Sequence, residues 1–263
     1  MKQAAASPSI GVFDSGLGGL TVLRELRRQM PEVPLHYIAD TAHAPYGQRS
    51  PDFIQARSLA LSEHLQASGA ALIVVACNTA TAHAIQALRQ RWPSLPFVGT
   101  EPGIKPAVAV SKAARIGVLA TPATITSARY QDLLARHAGQ AQVFSQACPG
   151  LVDLIEAGDL ESPALNALID QLCAPLREAQ VDTVLMGCTH YPLVQKQLQA
   201  ALGSQVLMLN IETAVAHQAQ RLWPHGASGA GMRIETTGDA VAMQRFVQQV
   251  LGWQTQTVEP ASV

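Results

Sequence analysis

Cys77 and Cys188 are the two side chains of this chain best suited to chemistry. Cys77 ends an apolar run in "VVACNTATA", Val74 to Ala82, and Cys188 ends another in "MGCTHYP", Met186 to Pro192. Each stands where a strand should give way to a polar turn and a helix. A thiol at a helix N-terminus has its thiolate stabilised by the dipole and by free N–H groups, which lowers a pKa that starts near ~8.5. Cys148 and Cys173 have no such turn around them and read as inert core thiols, the usual place of a free cysteine.

His190, two residues after Cys188, could be a surface residue, a metal ligand or the partner of the thiol. A zinc site assembled from Cys77, His83, Cys188 and His190 would lack closely spaced ligand pairs, so no metal is expected. A Cys–His nucleophilic pair for acyl transfer would use one cysteine and leave its counterpart idle. Inverting a stereocentre uses both, because one face of the α-carbon needs a base and the other an acid, with the roles exchanged in reverse. Racemisation by two thiols is therefore the leading chemistry. A hydrolase with one cysteine nucleophile and a binding protein without catalysis are the rival classes.

Other polar residues fall just after expected strands: Asp14, Ser15, Asn78, Thr79, Thr121, Thr189 and His190. In doubly wound sheets, ligands sit outside the carboxyl ends of the strands, where helix N-termini present N–H groups. "DSGLGG", Asp14 to Gly19, fits no phosphate-loop template, since Thr21 replaces the last glycine of G-x-G-x-x-G and no Gly-Lys-Ser/Thr follows. It also fails the nucleophile-elbow pattern and stands open as a plain tight turn.

Short apolar runs alternate with helical periodicity along the chain, the pattern of parallel α/β layers. "IGVFDSGLGGLTVLREL" from Ile10 resembles "IGVLATPATITSARYQDLL" from Ile116, and the two cysteine segments resemble each other, so the chain reads as an internal repeat. The expected fold is α/β: two pseudo-symmetric doubly wound parallel-sheet domains with the active site in the cleft between them. The first comprises residues 1–99 plus a C-terminal return at 210–263, the second 100–209. "QTQTVEPASV" at the C-terminus reads as a frayed tail.

The chain has 263 residues, 48% hydrophobic and 14% charged, with a formal net charge of -1. This is a globular composition, and its charge argues against a nucleic-acid or membrane surface as partner. "MKQAAASPSI" lacks the apolar stretch of a leader, and no apolar run is long enough to span a membrane. Four sparse cysteines without a C-x-x-C pair point to free thiols in a reducing, cytoplasmic setting. A small-molecule ligand is expected, and a homodimer stays open, because no exposed apolar stripe can be told from core.

Taken in order, "VFDSGLGGLTVLREL", "HYIADTAHAPYGQRS", "VVACNTATA" and "GCTHYPL", together with "ACPGLVDLIEAG" and the late "TTGD", resemble the glutamate racemases of the aspartate/glutamate racemase superfamily. The resemblance runs from about Ile10 to Leu251. It implies a cofactor-independent enzyme that interconverts L- and D-glutamate by proton transfer and provides D-glutamate for peptidoglycan. By that resemblance Cys77 deprotonates D-glutamate and Cys188 L-glutamate, Asp14 assists Cys77, and His190 with Glu156 assists Cys188. Substrate contacts are implied for Asp14, Ser15, Tyr46, Gly47, Asn78, Thr79, Thr189 and His190, with Thr121 or Thr124 further candidates. The run before Glu156 departs from the family, which often has an aromatic and a proline where this chain has Gly150 and Asp153. Glu156 could then be an ordinary exposed helix residue. His43 reads as loop variation. Racemisation in such a site would need preorganised donors for the carbanion. A pyridoxal group would need a lysine, and only Lys105 lies near the presumed cleft.

Overall fold

The computed structural model describes residues 8–226 and 229–263. The segment read as lacking a leader and the middle of the "WPHGASGAG" loop fall at 1–7 and 227–228, outside the described residues. Along the chain run β1 (Ser9–Asp14), α1 (Leu20–Gln29), β2 (Leu35–Ala39), α2 (Pro51–Ala67), β3 (Ala70–Val75), α3 (Asn78–Arg91) and β4 (Phe97–Gly99). There follow α4 (Ile104–Val110), β5 (Arg115–Ala120), α5 (Pro122–Thr126), α6 (Ala128–His137), β6 (Gln142–Ala147), α7 (Leu151–Glu156), α8 (Pro163–Glu178), β7 (Thr183–Gly187), α9 (Gln195–Leu202) and β8 (Leu207–Leu209). The last elements are α10 (Glu212–Leu222), β9 (Met232–Thr236), α11 (Ala240–Leu251) and β10 (Val258–Pro260).

The strands form two parallel sheets, in the orders β10-β9-β2-β1-β3-β4 and β6-β5-β7-β8. The inner strands β1, β3, β5 and β7 are apolar on both faces because helices cover both sides, which is why they read as unbroken hydrophobic runs. Element for element, β2-β1-β3-β4 matches β6-β5-β7-β8. The resemblance of Ile10 to Ile116 and of Cys77 to Cys188 thus has a topological basis. In each sheet the order reverses between the first and third strands, and a crevice opens at their carboxyl ends. Those two crevices carry Asp14 with Cys77 and Thr121 with Cys188.

After residue 210 the chain joins the first sheet. α10 buries Val215, Ala216 and Ala219 against Leu23 and Leu26 of α1, and β9 pairs along β2. β10 pairs with β9, so part of the expected frayed tail is a sheet edge. "QVFSQA" forms β6, which sequence pattern alone does not reveal. It is a half-exposed edge strand with polar residues on both faces, and backbone pairing to β5 rather than apolar burial holds it.

Candidate active site between the two sheets

Cys77 lies two residues beyond Val75 and is the N-cap of α3. Its sulfur accepts the Ala80 N–H at 3.4 Å and lies 3.5 Å from the Ser15 hydroxyl. Burial pushes the thiol up to about 12, and the nearby Asp14 carboxylate adds to the shift. Helix N–H groups thus do act on this sulfur, but dehydration outweighs them. At neutral pH and without ligand it holds its proton.

Cys188 follows Gly187 directly, and here the expectation of an α-helix N-terminus fails. Tyr191–Val194 form a 3-10 turn, and α9 starts only at Gln195, so no α-helical N-terminus points at the sulfur. Pro192, early in the turn, lacks an N–H to donate. The partner of Cys188 is His190, whose Nδ1 lies 3.7 Å from the sulfur. The far nitrogen, Nε2, lies 2.5 Å from Glu156 Oε1. Burial disfavours charge on the ring, yet the contacts with Cys188 and Glu156 hold its pKa well above the ordinary histidine value. A cationic imidazole therefore stands beside this sulfur.

Asp14, at the end of β1, joins the two halves. Its Oδ1 accepts the Gly16 N–H at 2.7 Å and its Oδ2 accepts the Thr189 hydroxyl at 3.0 Å. Complete burial raises its pKa to about 6, with His190 pulling in the opposite direction. Across the same junction the Thr79 hydroxyl meets those of Thr121 and Thr124 at 2.9 and 3.3 Å. Asn78 donates to the Thr100 carbonyl, while its Oδ1 is buried with no hydrogen-bond partner.

"DSGLGG" acquires its reason from this packing. A Cβ on Gly16 would run into the Glu156 carboxylate, one on Gly18 into the His190 ring, and one on Gly19 into Asp14 and Tyr37. The turn between β1 and α1 needs glycine because Glu156 and His190 from the second half, and Asp14 and Tyr37 from the first, press against its backbone. The Leu17 N–H donates to Glu156 Oε1 at 2.7 Å, which ties the turn to that carboxylate. Glu156 is thus no free surface residue. The departure before it also has a use: Gly150, at φ 77°, caps α7 in the left-handed region, and Asp153 accepts from Gln48.

Tyr46 is buried, and its hydroxyl donates to Asp40 Oδ2 at 2.5 Å. Gly47 beside it packs on Thr121. His43 pairs with Asp40, and His83 contacts the Ala123 carbonyl, so neither joins the thiols. Cys148 and Cys173 sit in the second sheet's apolar core. Sequence reasoning missed Tyr191, inside the quoted "CTHYP": its buried hydroxyl lacks a nitrogen or oxygen partner and lies against the sulfurs of Cys148 and Cys188. It also missed Tyr37, whose hydroxyl holds the Gly16 carbonyl at 2.8 Å. Lys105, Lys112 and Lys196 are all exposed, so among the described residues no lysine lines the site.

Comparison with known proteins follows the same lines. The model of the Asp/Glu/hydantoin racemase family matches residues 10–219. A glutamate racemase of Pseudomonas aeruginosa is 48% identical over 220 residues, covering 84% of this chain and 83% of its own. Among solved structures, a glutamate racemase isoform of Bacillus anthracis superposes with a TM-score of 0.89 at 33% identity, over 99% of both chains. The Escherichia coli glutamate racemase in complex with L-glutamate and the activator UDP-MurNAc-Ala superposes with a TM-score of 0.87 at 30% identity, over 98% of this chain and 99% of its own.

Proposed function

The chain belongs to the Asp/Glu/hydantoin racemase family, and we propose that it interconverts L- and D-glutamate with Cys77 and Cys188 as the two acid–base groups, supplying D-glutamate for peptidoglycan. One observation carries this reading above the rest: the two thiols occupy equivalent strand ends of two matching sheets, across a junction closed by the Asp14–Thr189 hydrogen bond. An enzyme that treats both faces of one carbon alike needs such a pair.

In the L-to-D direction Cys188 takes the α-proton as a thiolate favoured by the His190 cation, and Cys77, which rests as a thiol, delivers its proton to the opposite face. In the reverse direction Cys77 must first lose its proton. The substrate ammonium offsets the dehydration of that thiolate, and ionised Asp14 orients the incoming cation. The unpartnered Asn78 Oδ1 gains a donor when the ammonium arrives. Ser15, the hydroxyls of Thr79 and Thr189, and backbone N–H groups at the start of α3 hold the carboxylates and the carbanion charge without arginine or lysine. Contact between the sheets keeps water from the carbanion.

The reading is tested by incubating the protein with L-glutamate, D-glutamate and L-aspartate in deuterated water. The expected result is interconversion of the glutamate enantiomers with solvent deuterium at the α-carbon, abolished in Cys77→Ala and in Cys188→Ala. Turnover of aspartate alone would overturn the substrate, and wild-type rates in either variant would overturn the two-thiol mechanism.

A further inference from the structure

Three side chains distant in sequence converge away from the thiols, on the face of the first sheet that α2 covers. His36 lies on β2, and Glu235 on the neighbouring β9, where its register partner is Ile38. His64 reaches them from α2. Both imidazole Nε2 atoms meet the same oxygen, Glu235 Oε2, at 2.5 Å for His36 and 3.1 Å for His64. The three ligand atoms all lie within 4.8 Å of one another. Around them the face is apolar, with Ile38, Leu61 and Leu65 in one cluster. An aliphatic trio would fill that space without the cost of burying polar groups.

We propose that His36, His64 and Glu235 form a binding site for a divalent transition ion of the zinc class, separate from the racemase chemistry. Two imidazoles and one carboxylate are a donor set that zinc accepts, with a fourth position left for water. Donor–metal distances of about 2.0–2.2 Å put neighbouring donors roughly 3.3 Å apart in a tetrahedral site. The present N···O separations are 2.5 and 3.1 Å, so the ion needs only small side-chain rotations. Arg233 pairs with the other carboxylate oxygen at 2.6 Å and fixes which oxygen faces the histidines, as outer partners of metal ligands do. The His64 side chain is 26% exposed and gives the ion its way in. Bound there, the ion clamps the C-terminal return, through β9, onto α2.

The test uses the full chain, stripped with a chelator and carrying Cys77→Ala and Cys188→Ala so that the active-site thiols cannot bind metal. Zinc and cobalt(II) are then titrated. The proposal expects one equivalent bound, a cobalt spectrum of nitrogen and oxygen ligation without thiolate charge transfer, and a rise in Tm of about 5–10 °C at a hundredfold excess over Kd. His64→Ala, at a partly exposed helix position, should keep the fold and lose all three responses. Glu235→Gln in the same background should lose binding as well. No bound equivalent in the Cys77→Ala/Cys188→Ala protein, or binding unchanged in a folded His64→Ala variant, would overturn the proposal.

Discussion

Cys77 caps α3, accepts the Ala80 N–H and lies by the Ser15 hydroxyl, whereas Cys188 leads into a 3-10 turn and meets an imidazole backed by a carboxylate. Their strands are equivalent, since β3 and β7 hold the same place in their sheets. Their surroundings are not. Around Cys77 the dominant effect is dehydration beside a negative group, which keeps the proton on sulfur. Around Cys188 the nearest ionisable neighbour is a buried imidazole whose pKa its contacts hold well above the ordinary value. A repeated backbone therefore sets where the two thiols stand, while local side chains set the charge that surrounds each. That difference in surroundings is not written into the symmetry.

The largest effect that bears on this comparison comes from removing either sulfur. Cys77→Ala and Cys188→Ala should each lower racemisation by about 10²- to 10⁴-fold, the range for a lost acid–base group. A variant that kept wild-type racemisation would make its thiol a bystander. Next comes His190→Gln, expected to cost roughly a hundredfold, within that same range. The two substrates are enantiomers of equal free energy, so kcat/KM must fall equally in both directions. If Cys188 takes the proton of L-glutamate, as proposed, the asymmetry should appear instead in the α-deuterium isotope effect, growing with L-glutamate more than with D-glutamate. Equal growth for both would erase the difference drawn between the thiols.

Gly16→Ala presses a methyl on Glu156 and Gly18→Ala presses one on His190, while Gly19→Ala meets Asp14 on the other side. Each should cost about 1–3 kcal/mol in urea melts, as overpacked sites do. The first two should reproduce the isotope signature of His190→Gln, and the third should not.

The effect of Asp14 on stability depends on pH. Its folded pKa is raised from 3.8 to about 6, so over that window the unfolded chain releases the proton more readily than the folded one. Its contribution is fully present below pH 3.8 and declines to about -3 kcal/mol above pH 6, relative to an unshifted carboxyl. Asp14→Asn should gain on wild type by up to that amount as pH rises through the window, measured by denaturant melts, while losing the acid limb of kcat/KM near pH 6. A constant stability difference across the window would mean that Asp14 is not held ionised in a dry site.

Much of this was legible in the chain. The inner strands announce themselves because burial on both faces demands unbroken apolar runs, and the capped helices because polar residues with small side chains precede them, as Ser50 does before Pro51 and Cys77 before Asn78. β6 escaped because its residues suit solvent as well as sheet, and β10 because three residues near a terminus carry no period. The resemblance implied that Glu156 serves His190, but an exposed helix residue stayed open because its neighbours Asp153 and Ala157 reveal nothing about Leu17 and His190, which it meets. The glycines of "DSGLGG" suggested a turn, but what the turn must clear belongs to another part of the chain.

The sequence by itself determined the parallel α/β architecture, its doubling, and the pair of cysteines at strand ends, because hydrophobic period and residue type act over a few neighbours and leave their mark in order. Tertiary structure alone decided that burial holds the proton on Cys77, that the Glu156 carboxylate meets both His190 and the Leu17 N–H, and that His36, His64 and Glu235 share one oxygen. Those properties depend on dehydration and on charges a few ångströms away in space, contributed by segments far apart along the chain.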